Sequence, residues 1–223
     1  MNQTIVFLAA SLACGAVLAD EIRDYRAEAA AMLKRDFKTK GIATADRLHE
    51  DGVQAICNRT SDHPPKAVAE RLEKDQLDGV RYPADGKLMG DWKAGEKLAQ
   101  SGRGMTWSDS AGVPGGGNCY NCHQIGPQET SFGTIGTSLY QYGKLRGNTP
   151  EIQKYTYAKI WNAKAFNLCS AMPRFGHAGA LTEAQIKDLV ALLLDPQSPV
   201  NCKYQIPSSR RLGVAKPLFF EDP

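Results

Sequence analysis

The apolar residues of this chain recur at helical rather than strand spacing. The clearest helix has them at positions i, i+3, i+4 and i+7: Ile186, Leu189, Val190 and Leu193. A capping-box pattern, Thr182-Glu183-Ala184-Gln185, opens this helix, and Asp195-Pro196 ends it. No stretch alternates apolar and polar residues with the period of two that a strand requires. We therefore predict an all-α fold.

Capping residues indicate two further helices upstream. Asp91 is suited to cap a helix that Gly102 would end in the left-handed conformation. Thr149-Pro150-Glu151 places proline at the first helical position, which predicts a helix running to about Ala163. The three helices together define one unit over residues 90–200.

A charged segment, residues 20–89, precedes that unit and is predicted to be a helical extension; residues 201–223 form a tail. One face of the first helix of the extension is apolar and is expected to lie on a core: Ile22, Tyr25, Ala29, Met32 and Leu33. We interpret His49 and His63 as surface or capping histidines, and Pro64-Pro65 as a linker or helix start.

The first nineteen residues carry no charged side chain and end in small residues before Asp20. This pattern is typical of a secretory signal peptide over residues 1–19, cleaved after Ala19. We therefore expect a periplasmic protein with no membrane span after processing. An uncleaved anchor is the alternative. Lipid attachment at Cys14 is disfavoured because Ser11 stands where a leucine-like residue is usual.

Composition narrows the functional classes. The formal net charge is +3, which is too mild to indicate nucleic-acid binding. The apolar fraction is 42%, ordinary for a soluble globular protein, and the mean hydropathy of -0.38 leaves no room for several membrane spans.

The strongest chemical signal is Cys119-Tyr120-Asn121-Cys122-His123, the C-x-x-C-H pattern of c-type haem attachment. The two cysteines are spaced to form thioether bonds with the haem, and His123 is the expected proximal iron ligand. A thioredoxin-like redox pair and half of a zinc site are the alternatives. Neither is favoured, because the context is helical and no second ligand pair occurs in the sequence.

The sixth iron position is assigned to Met172. It lies before a proline in a loop between two predicted helices, from which it could reach over the haem. Met89, Met105 and His177 stay open as alternatives, and Met172 could instead fill a gap in the core.

The haem motif, the later Met-Pro loop and the flanking helices resemble a class I cytochrome c domain. In that fold the first and last helices cross, which places Gly95 against the helix at 186–193. A narrower likeness rests on these strings: Gly117-Asn118-Cys119, Ile135-Gly136, Tyr142-Gly143, Arg146-Gly147, Lys159-Ile160-Trp161, Cys169-Ser170-Ala171-Met172-Pro173-Arg174-Phe175-Gly176, Leu192-Leu193-Leu194-Asp195-Pro196 and Ser198-Pro199-Val200. Together they resemble the SoxX family, the small cytochrome subunits of the sulfur-oxidation complex SoxAX.

This resemblance implies one covalent haem c and a larger haem-containing SoxA-like partner in a heterodimer. The complex, a haem L-cysteine S-thiosulfotransferase, attaches thiosulfate to a cysteine of a carrier protein. The present chain would be its electron-transfer subunit, passing electrons to a soluble cytochrome, and not catalytic alone. A free-standing electron carrier is the alternative, and a haem enzyme or gas sensor with an open sixth position is another.

Three cysteines remain after the leader and the haem motif are assigned. Cys169 lies within the family-like string and is interpreted as a small buried hydrophobe, or as paired. A disulfide between Cys57 and Cys202 would attach the extension to the cytochrome domain, and we state it as the candidate pairing.

Overall fold

The computed structural model of the chain describes residues 24–113 and 115–202. The predicted leader and its cleavage site, and the tail beyond residue 202, lie outside these residues. The α-helices described there are α1 (Tyr25–Asp36), α2 (Gly52–Arg59), α3 (Lys66–Asp78), α4 (Trp92–Gln100), α5 (Tyr142–Arg146), α6 (Pro150–Trp161) and α7 (Glu183–Leu194). Short 3-10 turns add Ala45–Leu48, Cys119–Asn121 and Ala163–Ala165. Within these ranges the only β-pairing is an isolated bridge between Lys40 and Ala43. The all-α prediction is confirmed.

The main core forms where α4 crosses α7. A Cβ atom at Gly95 would lie 2.2 Å from the Asp188 carbonyl oxygen and 3.0 Å from Leu192 Cβ. Only glycine permits so close an approach of two helix backbones. The expected contact of Gly95 with the last helix is therefore present. Side chains of α6 and α7 complete this core, among them Tyr157, Ile186 and Val190, all fully buried.

The predicted helix starts are confirmed by their caps. Asp91 accepts from the Lys93 N–H, Thr149 from the Ile152 N–H, and Thr182 forms the expected capping box with Gln185. The predicted end of α4 at Gly102 is wrong. Ser101 ends it in an extended conformation, which lets the Ser101 carbonyl accept from the Asn118 N–H at 2.9 Å.

The first helix of the extension forms, but its expected apolar contact with a core is wrong. None of the residues of α1 is buried; Tyr25 is 71% exposed and Met32 50% exposed. Ile22 lies outside the described residues. Leu33 on this face is only half-buried, so α1 adds little hydrophobic burial to the fold.

A second, smaller core joins the rest of the extension to a loop of the C-terminal unit. Val53 and Cys57 of α2 pack with Leu168, and α3 covers them with Ala69 and Leu72. The loop concerned, residues 162–182, connects α6 to α7, and we call it the distal loop. The extension thus contacts the C-terminal unit through α2 and α3.

The candidate pairing of Cys57 with Cys202 is wrong. Cys57 forms a disulfide with Cys169, 112 residues away in sequence, whereas Cys202 is exposed and free. The second core explains the difference, since it places Cys57 directly beside the distal loop while Cys202 lies after α7. No helix in the described ranges is long and apolar enough to cross a membrane.

Candidate haem-binding site

The C-x-x-C-H motif folds into one tight turn. Asn118 enters it with a left-handed φ of 48°, and a 3-10 turn follows at Cys119–Asn121. The N–H groups of Cys122 and His123 both donate to the Cys119 carbonyl, at 3.1 and 2.9 Å. The two cysteines and the histidine are therefore held on one short, locally stabilised segment.

A neighbouring loop orients the imidazole of His123. Its Nδ1 atom lies 2.7 Å from the Thr137 carbonyl oxygen. A carbonyl only accepts, so Nδ1 must carry the proton and Nε2 keeps its lone pair for a metal. The loop passes so close that a Cβ at Gly136 would lie 2.2 Å from His123 Cε1. The histidine is thus presented as a single tautomer.

The Cys119 thiol does not resemble a redox nucleophile. Burial among apolar groups raises the pKa of Cys119 to about 12. A thioredoxin-like pair requires the opposite, a lowered pKa that produces thiolate. A buried thiol of this kind is suited to forming one permanent thioether bond that is then shielded from water.

A zinc site at the motif is also disfavoured. In the described part of the chain, the one cluster of three potential ligand side chains is Cys57, Asp62 and Cys169. Two of these are joined in the disulfide and lack thiolates for a metal. Cys119, Cys122 and His123 do not form such a cluster among the described residues, either with one another or with a further cysteine, histidine or carboxylate.

Beside the motif is an apolar cavity that opens to solvent. Cys119 and His123 line one part of it, and Met172 of the distal loop also lines it. The remaining lining residues are apolar: Ala99, Ile125, Leu139, Ile160, Phe175, Leu189, Leu192 and Leu193. Cys122 lies on the same turn but does not contribute to this lining. His123 and Met172, 49 positions apart in sequence, are thus brought together around one space.

The alternatives for the sixth ligand lie elsewhere. Met89 packs against the main core. Met105 lies in a loop, and its own carbonyl accepts a hydrogen bond from the Arg47 side chain at 2.7 Å. His177 is exposed and is held by its backbone N–H on the Trp161 carbonyl. None of these three is among the described residues that line the cavity.

Two polar pairs near the site were missed from sequence. The guanidinium of Arg174 pairs with Asp51 of the extension at 2.5 Å. The Tyr120 hydroxyl, between the two cysteines, donates to Glu96 at 2.9 Å and accepts from the Gly126 N–H. Burial raises the pKa of Glu96, although the hydrogen bond from Tyr120 opposes the rise. No local pattern signals either pair.

These residues fit a c-type haem: two free cysteines on one turn, an imidazole with a free Nε2, a thioether, and apolar walls. The fold and site define an all-α protein with a cysteine-histidine-methionine cavity.

No protein-family model matches the chain. Over 156 residues it is 38% identical to an uncharacterized lipoprotein of Aquifex aeolicus, an alignment covering 68% of this chain and 73% of that relative. The chain belongs to the same family as that lipoprotein.

Proposed function

We propose that the chain is a c-type cytochrome with one covalently attached haem that transfers single electrons. The observation that carries the proposal is the shared cavity. Cys119, His123 and Met172 come from two separate segments and line one apolar space next to a free imidazole nitrogen. Imidazole and thioether are the ligand pair of electron-transfer cytochromes.

The roles of the residues follow from their positions. Cys119 and Cys122 provide the thiols for attachment, His123 Nε2 the proximal ligand, and Met172 the distal ligand. The Thr137 carbonyl keeps the imidazole ring oriented, and the apolar walls exclude water. When bound, the haem supplies a one-electron redox couple, which a methionine ligand shifts toward the reduced state.

Haem attachment is the direct test. We would produce the chain in cells with a c-type cytochrome maturation system and measure its intact mass and pyridine haemochrome spectrum. The expected result is one haem per chain, lost when Cys119 and Cys122 are both changed to alanine. Cys202→Ala is the matched control, because Cys202 is the other free cysteine and lies after α7. A wild-type chain without haem would overturn the proposal.

The distal ligand separates electron transfer from small-molecule chemistry. A methionine-to-iron charge-transfer band in the ferric protein is expected, and Met172→Ala should abolish it while Met105→Ala leaves it unchanged. A band that survives Met172→Ala would assign another ligand. A wild-type protein with haem but no band would favour a haem enzyme or gas sensor.

The finer proposal is that this chain is the electron-transfer subunit of a SoxAX-like, thiosulfate-oxidising complex. It rests on the Cys-Ser-x-Met-Pro-Arg-Phe-Gly string at residues 169–176. The larger partner would join thiosulfate to a cysteine of a carrier protein, and a soluble cytochrome would accept the electrons. Co-purification with a second haem subunit and thiosulfate-dependent reduction would support this. A lone cytochrome indifferent to thiosulfate would support the free-standing carrier instead.

Export to the periplasm is part of the proposal. The matched relative is described as a lipoprotein, so two mature forms are to be compared: one cleaved after Ala19 and one lipid-modified at Cys14. The mass of the mature N-terminal peptide distinguishes them. We expect a mature chain that begins at Asp20, after cleavage behind Ala19. A mature chain that begins with a diacylated Cys14 would show that the protein is a lipoprotein instead.

A further inference from the structure

The distal loop has little regular structure of its own. Between Trp161 and Glu183 it contains one 3-10 turn, Ala163–Ala165. Next to Met172 the loop's own hydrogen bonds are short-range: the Met172 N–H donates to Ser170 Oγ at 3.2 Å, the Ser170 N–H to the Asn167 carbonyl at 3.0 Å, and the Ala178 N–H to the Arg174 carbonyl at 2.9 Å. A ligand on such a segment needs support from elsewhere if its position is to be well defined.

That support comes from helices α2 and α3 and the Asp51 that caps α2. On the N-terminal side of Met172, Glu73 Oε1 accepts from the Leu168 N–H at 2.8 Å, and Cys57 is bonded to Cys169. Further back, Gln76 Oε1 accepts from Asn162 Nδ2 at 3.0 Å, which holds the start of the loop.

On the C-terminal side, Asp51 binds Arg174, whose side chain is only 14% exposed. The two carboxylate oxygens of Asp51 make different contacts. Oδ1 accepts from the Val53 and Gln54 N–H groups and caps α2, while Oδ2 binds the guanidinium. The two tasks can be separated, since asparagine keeps the cap but loses the charge.

The anchors lie three residues before Met172, at Cys169, and two residues after it, at Arg174. We propose that residues 51–78 are a clamp that positions Met172 for iron, so that the extension controls how readily the thioether leaves the sixth position. This inference rests on the proposed haem function. Asp51 and Glu73 are positioning residues, because they contact the loop and not the cavity.

The test uses the full-length haem protein with Asp51→Asn and, separately, Glu73→Ala. Glu70→Ala is the matched control, since Glu70 lies on the same helix as Glu73 and its side chain is 65% exposed. One readout is the rate at which imidazole displaces the methionine from ferric iron. The second is amide hydrogen exchange of residues 166–176, which does not depend on the haem signal.

The clamp variants are expected to speed displacement by about tenfold and to speed exchange in 166–176. Asp51→Asn breaks a part-buried ion pair and leaves the Arg174 charge uncompensated, and Glu73→Ala removes the acceptor of the Leu168 N–H. Haem content and exchange at 133–139 should stay as in the control. Unchanged displacement and exchange in both clamp variants would overturn the inference. A wild-type chain lacking haem would instead overturn the proposed function, and the exchange comparison would still report whether the clamp holds the loop.

Discussion

The His123 side and the Met172 side of the cavity are held in place by different kinds of contact. The His123 side is local: Gly133 and Gly136 donate to the carbonyls of Tyr120 and Cys122 at 2.8 Å, and the Thr137 bond to His123 spans 14 residues. The Met172 side has short-range bonds as well, such as the His177 N–H on the Trp161 carbonyl, but its contacts with the extension span 86 to 123 residues. The His123 side is thus fixed by its neighbours in sequence, whereas the Met172 side is also held by a remote extension.

The largest effect is expected from removing the disulfide. Changing Cys57 and Cys169 together to alanine should lower the free energy of unfolding by about 4 kcal/mol, because the bond closes a long loop in the unfolded chain. Chemical denaturation measures this, with Cys202→Ala as the control. Hydrogen exchange should accelerate more in 166–176 than in 133–139. Equal acceleration in both segments would remove the distinction between the two sides.

The His123 side should be sensitive to a single methyl group. Gly136→Ala would place Cβ 2.2 Å from His123 Cε1, and relieving that clash should cost about 2 kcal/mol of stability. The yield of attached haem should fall with it. Gly52→Ala is the control, because no atom lies within 4 Å of a Cβ at that position. Normal haem yield in Gly136→Ala would contradict the tight approach.

Acid should loosen the Met172 side through Asp51. Burial alone would raise the pKa of Asp51, but hydrogen bonds from the Gln54 N–H and from Arg174 outweigh it and lower the pKa. The ion pair therefore stabilises fully above the ordinary aspartate range, about pH 4, and is lost as pH falls through the lowered value. Burial and the positive charge of Arg174 lower the pKa of His177. When His177 gains a proton in acid, its positive charge repels Arg174 and so also loosens the Met172 side.

Methionine-band intensity and exchange in 166–176, followed from pH 7 downward, measure this step. Asp51→Asn should lose the part of this acid step that comes from Asp51 and keep the part that comes from His177. A wild-type and a variant with identical acid profiles would show that Asp51 does not hold the loop.

The smallest effect is expected at Glu96. Its folded-state pKa is raised by burial, so its contribution to stability is fully present below about pH 4.3 and is lost as pH rises through the raised value. Glu96→Gln keeps an acceptor for Tyr120 and should stabilise the protein at pH 7 by less than about 1 kcal/mol. Thermal unfolding at pH 4 and pH 7 measures the difference, with Glu70→Gln as control. A destabilised variant at pH 7 would mean that the ionised carboxylate is required.

The sequence predicted the features that depend on near neighbours. The caps at Asp91, Thr149 and Thr182 were readable because each bond spans two or three residues. Gly95 was placed against α7 through the family resemblance, because no local pattern names its partner. The haem motif and Met172 were picked out by spacing and by Pro173, and the cavity brings them together.

What failed depends on tertiary contacts. Three cysteines outside the predicted leader and the motif allow several pairings, and spacing alone does not choose Cys169 over Cys202 as the partner of Cys57. The partner of Arg174 lies 123 residues away. The amphipathic face of α1 resembled a buried one, but helical periodicity says nothing about whether a partner surface exists. Physical proximity between remote segments is not encoded in a local pattern.

The position of Cys57 has a consequence for the order of events during biogenesis. A chain exported from its amino terminus would present Cys57 to an oxidising compartment first, then Cys119 and Cys122, and Cys169 last. The first thiols available to Cys57 are therefore the wrong ones, and mispaired bonds would need thiol-disulfide exchange to correct them. On the proposed function, ligation of haem would consume both motif thiols, so early cofactor insertion would also direct Cys57 to its proper partner.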